Sequence, residues 1–371
     1  MTEVWVLGGS GRSGRAIAAA LRDRDLDPVL VGRDGGRLAV AAAGLGGCRT
    51  EVVAGIADIA ARIRSDRPAA VVNTVGPFSE TMAALTAACL DGGSHHVDLA
   101  NDVGSVSALL ALDRQAADAG LTFVTGAGWG VTGTESAVLH VCEGRSVPRR
   151  VRVDMIPSLA SEAGALGDAL AGTIVEGHPG VPGGGRFDGR RYAGGRLVRS
   201  RVAGDVRVLR LPDGSTVRTG AMPLGELVSA QRVSGAPDVV SASSEAPTAP
   251  LVRAVLPGLL QLLRVDAVRR LARRRLAAVA LPQRARPRQY SWARAEVAWP
   301  DGDTRVGWLR AGDAAEFTAA VAAEVTHRAL SGAGRPGCST PAAMFGTGLA
   351  TACGAEYLSD PGTVAGTPVQ P

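Results

Sequence analysis

An apolar run, Val4-Trp5-Val6-Leu7, stops at a glycine cluster, Gly8-Gly9-Ser10-Gly11-Arg12-Ser13-Gly14, and an alanine-rich segment of helical periodicity follows. This order spells a strand, a tight turn and a helix start. Gly9, Gly11 and Gly14 fit the spacing G-x-G-x-x-G, which lets a backbone approach a pyrophosphate closely while a helix N-terminus offers its free N–H groups. Only glycine combines the backbone freedom with the missing Cβ that this approach requires. The first strand–helix turn of a dinucleotide-binding fold belongs at this place, so Gly8 to Gly14 are the predicted phosphate-binding residues.

Leu26 to Val31 reads as a second strand, ending at Gly32-Arg33-Asp34. An NAD-selective site places an acid at this strand end, about 20 residues past the glycines, to bind the adenosine ribose. Here Arg33 stands there, with Arg37 one turn later and Arg12 in the first loop. A guanidinium pairs with a 2′-phosphate, so the expected cofactor is NADP(H) rather than NAD(H). The alternatives are a solvated Arg33 and a ribose contact from the neighbouring Asp34.

Strand-like and helix-like segments alternate up to about residue 130. Strands are predicted at Glu3–Leu7, Pro28–Val31, Arg49–Val53, Ala69–Thr74, His95–Leu99 and Leu121–Thr125. Helices are predicted at Arg12–Arg22, Gly36–Ala43, Ile56–Ser65, Ser79–Asp91 and Ser105–Ala119. The pattern predicts an α/β protein, a Rossmann-type doubly wound parallel sheet over 1–130. A second α+β domain for substrate and dimerisation is expected over 131–330, and 331–371 is expected to return to the first domain.

Ligands in such folds sit at the carboxyl ends of the strands, so the loops there are the candidate site. After the fourth strand, Val75, Gly76, Pro77 and Phe78 are predicted beside the cofactor, with Phe78 either on the nicotinamide or in the core. After the fifth come His95-His96-Val97-Asp98; adjacent histidines on a strand point to opposite faces, so no shared metal is expected. Gly126-Ala127-Gly128-Trp129 leads into a helix, with Gly133 or Thr134 as its predicted N-cap.

Residues 147–310 carry short alternating runs, Arg150–Ile156, Arg196–Val202, Val206–Leu211 and Glu226–Val233, which predict an antiparallel sheet. Gly183–Gly185 marks a mobile loop, and Pro300-Asp301-Gly302 a hairpin turn between Arg288–Trp299 and Thr304–Leu309. Residues 312–330 and 341–353 read as helices, with fraying after about 358. Leu251–Leu281 is leucine-rich with five clustered arginines, Arg269, Arg270, Arg273, Arg274 and Arg275. It reads as two helices broken at Pro257-Gly258, each with a solvated basic face and an apolar core face. A membrane-surface or acidic-partner role is the alternative.

The chain's 371 residues suffice for two domains. Five scattered cysteines without a C-x-x-C pair argue against a disulfide framework or a zinc cluster. With no bilayer-spanning run and no basic-then-apolar leader, they predict a cytoplasmic protein. The net charge of +5 raises nucleic acid as a partner, but aromatics are only 4% and the arginines are dispersed, so none is expected. The chain has no lysine. That excludes a lysine Schiff base and the Tyr-x-x-x-Lys pair of short-chain dehydrogenases.

With these loops assembled, the chain resembles the saccharopine dehydrogenase-like reductases. The matching pieces are the N-terminal glycine turn, Gly32-Arg33, Asn73-Thr74-Val75-Gly76-Pro77-Phe78 and Cys89-Leu90-Asp91-Gly92-Gly93-Ser94-His95-His96-Val97-Asp98. Gly126-Ala127-Gly128-Trp129 and Gly337-Cys338-Ser339-Thr340-Pro341 complete the set. The resemblance implies an NADP-dependent oxidoreductase, often a homodimer, with a Rossmann domain and an α+β domain. It covers imine reductases and lipid-related enoyl reductases. Phe78 stands where members often carry Tyr, and Gly133-Thr134-Glu135 where many carry Pro-Ser-Asp, which argues against saccharopine itself. The Arg- and Ala-rich composition suggests a high-GC bacterial origin and a role in specialised metabolism.

The expected chemistry is hydride transfer from NADPH to a C=N, C=O or polarised C=C bond of a small metabolite. Asp98, Glu135, His96 and Tyr192 are the candidate proton donors, although Asp98 is also placed to cap the following turn. Arginines of the second domain are candidate clamps for a substrate carboxylate. Two alternatives stand beside this expectation. One is a non-redox cyclase or isomerase that retains NADP(H); the other is a lipid-linked enoyl reductase.

Overall fold

β1 (Thr2–Leu7) is apolar on both faces from Val4 to Leu7, and it lies in the interior of a sheet. The computed structural model describes residues 2–160, 163–165, 171–172, 175, 189–263 and 265–359. Beside β1 lie β2 (Leu26–Gly32) and β4 (Ala70–Asn73), both parallel to it. With β3 (Thr50–Val52), β5 (His95–Asp98), β6 (Thr122–Val124) and β17 (Gly337–Ser339), the sheet order is β17-β6-β5-β4-β1-β2-β3. Every pairing in it is parallel. Strands covered on both faces need unbroken apolar runs, and β1, β2 and β4 have them in Val4–Leu7, Pro28–Val31 and Ala70–Val72. The order turns back between β1 and β4, which opens a crevice at their carboxyl ends.

The covering helices are amphipathic. α1 (Arg12–Arg22) buries Gly14, Ile17, Ala18 and Leu21, a single helical stripe. α2 (Gly35–Gly44), α3 (Ile56–Asp66), α4 (Phe78–Gly92), α5 (Val103–Leu110) and α6 (Asp113–Asp118) complete the windings. The segment 105–119, expected as one helix, is thus two. α7 (Trp129–Cys142) leads into the second domain; its N-cap is Gly128, not Gly133 or Thr134, which lie buried inside the helix.

Among the described residues the second sheet has nine strands. Its core is β7 (Arg150–Ile156) between β15 (Ser291–Ala298), antiparallel, and β13 (Asp238–Ser243), parallel, so the sheet is mixed rather than antiparallel. β8 (Gly164–Ala165) forms a separate pair with β14 (Ala280–Leu281). β9 (Arg190–Ala193) and β10 (Arg196–Arg199) form one edge. β11 (Arg207–Arg210) and β12 (Thr216–Ala221) form a hairpin. β16 (Thr304–Ala311) pairs with β15 across the expected Pro300-Asp301-Gly302 turn.

The run 226–233, read as a strand, is a helix, α8 (Gly225–Ser234). Leu224, Leu227 and Val228 are spaced for a helix face, and Gly235 ends it in the left-handed conformation. α9 (Pro250–Leu262) runs straight through Pro257-Gly258, and the break before α10 (Asp266–Ala277) falls at 263–265 instead. A proline inside a helix strands the carbonyl four residues earlier. That carbonyl is on Arg253, and it accepts the Arg201 guanidinium at 3.2 Å. The expected loop at Gly183–Gly185 and the end of the chain from 360 lie outside the described residues.

α11 (Ala314–Leu330) starts at Asp313, whose carboxylate caps the amides of Ala315 and Glu316. It returns to the first sheet, where Glu324 pairs with Arg24 at 3.0 Å. α12 (Pro341–Phe345) and α13 (Gly348–Ala352) replace the single last helix expected over 341–353. β18 (Glu356–Ser359) pairs with β16, so the last described strand lies in the second sheet.

Candidate active site

The glycine turn is built by backbone contacts. Gly8 and Gly9 both donate N–H to Val31 O, at 2.9 and 3.1 Å, tying the end of β1 to the end of β2. Gly8 takes φ +75°. A Cβ on Gly14 would lie 2.4 Å from Gly8 O, and one on Gly9 would lie 2.7 Å from Leu30 Cβ. The glycine that makes the turn is therefore Gly8. Gly14 admits α1 against it, and Gly9 rests on β2. Gly11 is the N-cap of α1 without a side-chain bond, and the first turn carries no acid. A helix N-terminus of this kind offers its amides to an anion. Arg15 closes the loop on itself through Ser10 O at 2.9 Å, and Arg12 reaches Ala160 O beyond β7 at 2.7 Å.

At the end of β2, the Asp34 carboxylate caps α2 by accepting the Arg37 amide at 3.0 Å. Arg33 and Arg37 are both exposed. Arg37 lines a recess of about 550 Å³ between the glycine loop and α2, shared with Ser10 and Arg15. After β4, Thr74 Oγ1 donates to Leu7 O at 2.7 Å and Val75 N to Asn73 Oδ1 at 3.0 Å. Gly76-Pro77 is cis, and Phe78 opens α4 half-buried against the core.

A second cleft, about 270 Å³, lies at the carboxyl ends of β5 and β6. Its walls include Ser13 of the glycine loop, Asn101, Trp129, Met155 of β7, Glu245 and Thr318. The two domains thus meet over the glycine turn. Asn101 Nδ2 donates to Glu226 Oε1 at 3.2 Å, while its Oδ1 is buried without a hydrogen-bond partner. Trp129 Nε1 is likewise buried and unpartnered, its ring set edge-on to Phe317 at 5.2 Å. Buried polar groups in native proteins are almost always paired; these two are enclosed by protein, Asn101 Oδ1 beside Gly225, and have no hydrogen-bond partner among the described residues. Gly130 lets the wall close: a Cβ there would lie 2.3 Å from Glu226 Oε1.

The four acid–base candidates lie elsewhere. Asp98 is fully buried, and its carboxylate accepts Ala100 N at 2.9 Å, Thr125 Oγ1 at 2.8 Å and Gly126 N at 3.2 Å. His96, also fully buried, meets Asp98 Oδ2 at 3.3 Å and packs on Phe123. Glu135 points away into the interior, where it accepts the Thr340 hydroxyl and Ala342 N, the latter at 2.9 Å. Burial pushes its carboxyl up to about 7. Tyr192 is on β9 opposite Val239, whose other partner is Val151 near the start of β7. That is four strand residues, roughly 13 Å, from the Met155 end. None of the four lines the cleft.

Two of the candidate carboxylate clamps are also engaged. Arg152 and Arg294 grip the buried Asp154 at 2.9 and 3.2 Å beneath the β11–β12 hairpin. The residues missed were Asn101, Trp129, Glu226 and Glu245. Asn101 and Trp129 lie in strand-end loops already singled out. Glu226 and Glu245 come from second-domain elements that no motif marks.

No family model matches the chain, and no curated protein sequence matches it. Among solved structures it is similar to apo saccharopine dehydrogenase (L-Glu forming) from Saccharomyces cerevisiae, with TM-score 0.59 and 10% identity over 97% of this chain and 100% of that one. It is also similar to an amine dehydrogenase from Mycobacterium smegmatis, at TM-score 0.46 and 13% identity over 91% of this chain and 94% of that one. A probable dehydrogenase from Thermotoga maritima gives TM-score 0.45 and 13% identity over 95% and 94%. The two-domain fold is that of saccharopine dehydrogenase; at this identity the likeness is one of fold.

Proposed function

We propose that the protein is an NADP(H)-dependent oxidoreductase that transfers hydride to a C=N, C=O or polarised C=C bond of a small metabolite held in the cleft at Asn101 and Trp129. The glycine cradle carries this reading. The contacts at Gly8, Gly9 and Gly14 leave no room for a Cβ, and uncapped amides of α1 adjoin it. Such a cradle fits a pyrophosphate. Arg33 and Arg37 would hold a 2′-phosphate; Asp34, the competing ribose ligand, spends an oxygen on the α2 cap. When bound, the reduced nicotinamide supplies the hydride.

The chain's own residues would position the acceptor. Trp129 Nε1 is a donor suited to a substrate oxygen or nitrogen, and Asn101 Oδ1 an acceptor suited to an N–H or O–H. Glu245, on the cleft wall, is the acid placed to deliver a proton; Asp98 acts through the loops it holds. The test is to follow the reduced-nicotinamide absorbance while a panel of cyclic imines, ketones and enones is offered. Consumption of NADPH matched by reduced product supports the reading. Product formed with no consumption would contradict it and favour a non-redox reaction.

A further inference from the structure

The surface of α9 and α10 is unlike the rest of the molecule. α9 buries Leu260 and half-buries Leu256, yet its opposite face is also apolar. Leu251, Val255 and Leu262 follow one helical stripe and are 84%, 58% and 54% exposed. α10 has no fully buried residue. Its outermost apolar side chain, Leu271, is 56% exposed and is flanked by the exposed Arg270, Arg274 and Arg275. Between residues 250 and 277 there are seven arginines and a single acid, Asp266, whereas the whole chain carries a net +5. The positive excess therefore sits on this patch, and the remainder of the chain is net acidic.

We infer that α9 and α10 dock the protein on an anionic lipid surface, lying in its plane. Apolar side chains on the outer face with arginines beside them match an interfacial helix, whose leucines enter the acyl boundary while guanidinium groups stay with the headgroups. Anionic headgroups complement the charge. A two-fold contact between copies would set this arginine cluster against itself, so charge favours the lipid over a second copy. α10 is fixed to the first domain by Arg273, paired with Glu80 at 2.8 Å in the first turn of α4. The lipid-facing patch is thus anchored beside the Pro77-Phe78 turn.

The test is flotation of the full chain with phosphatidylcholine vesicles, with and without phosphatidylglycerol, at low and high salt, alongside sedimentation velocity. The expected result is flotation at least ~10-fold greater with the anionic vesicles, and lost at high salt. Leu251→Asp/Val255→Asp and Arg270→Gln/Arg274→Gln/Arg275→Gln should each reduce it by ~10-fold or more at unchanged Tm and sedimentation coefficient. No flotation, or equal flotation with neutral vesicles, would overturn the proposal. A change of oligomeric state in Leu251→Asp/Val255→Asp would overturn it too, and would assign the patch to contact between copies.

Discussion

The Asp98 carboxylate accepts the Thr125 hydroxyl at 2.8 Å, joining the loop that follows β5 to the loop that follows β6. Those two loops carry Asn101 and Trp129 to the cleft. Ala100 N and Gly126 N bind the same oxygen. Asp98→Ala leaves these three donors without their acceptor, and an unsatisfied buried donor costs about 1–3 kcal/mol. The variant should lose about 2 kcal/mol in urea unfolding and lose turnover with it. Full stability with abolished turnover would instead make Asp98 a direct proton donor.

Gly14→Ala puts a Cβ against the backbone oxygen of Gly8, 2.4 Å away in the present geometry. A backbone atom cannot swing aside, so the turn must open. NADPH affinity measured by calorimetry should fall by at least ~10-fold, the loss of about one charge-assisted hydrogen bond. Unchanged affinity would mean that the turn does not hold the pyrophosphate.

Glu135 is an interior acid raised to about 7 by burial, from an ordinary 4.5. Between those values the folded chain keeps a proton that the unfolded chain releases. Its contribution is therefore complete below pH 4.5 and is lost as pH rises through 7, by about 3 kcal/mol in all. Glu135→Gln mimics the protonated form. Its stability relative to the parent should rise between pH 5 and pH 8 in parallel denaturation curves; a constant difference would show that Glu135 stays ionised.

Asp154 neutralises Arg152 and Arg294 in the interior of the second sheet. Removing one partner of a buried pair costs about 3–5 kcal/mol; Asp205 still pairs Arg152 and Glu296 still pairs Arg294, which holds the loss to the lower end of that range. Asp154→Ala should be destabilised by that order in urea. A loss below about 1 kcal/mol would show that solvent reaches the cluster.

The first domain was legible because parallel strands covered on both faces read as unbroken apolar runs. α1 was found from Arg12 to Arg22, where its stripe of Gly14, Ile17, Ala18 and Leu21 begins and ends. The second domain was harder. Its helix α8 carries only Leu227, Val228, Ala230 and Val233 as apolar contacts, too few to distinguish a helix from a short strand. The site was half legible for a related reason. The strand-end rule located Asp98 and Glu135 near the cleft but is silent on where a carboxylate turns. Asp98 turns down onto Thr125, and Glu135 onto Thr340. Glu226 reaches Asn101 from 125 residues away, a contact no local pattern records.

The most direct test of the account is the pair of dissociation constants for NADPH and NADH, measured by tryptophan fluorescence on the parent and on Arg33→Ala/Arg37→Ala. NADPH should bind the parent at least ~10-fold more tightly, as expected for a charge-assisted contact to the 2′-phosphate. The double variant should bind the two alike. Tighter binding of NADH, or a preference for NADPH that survives loss of both arginines, would contradict it.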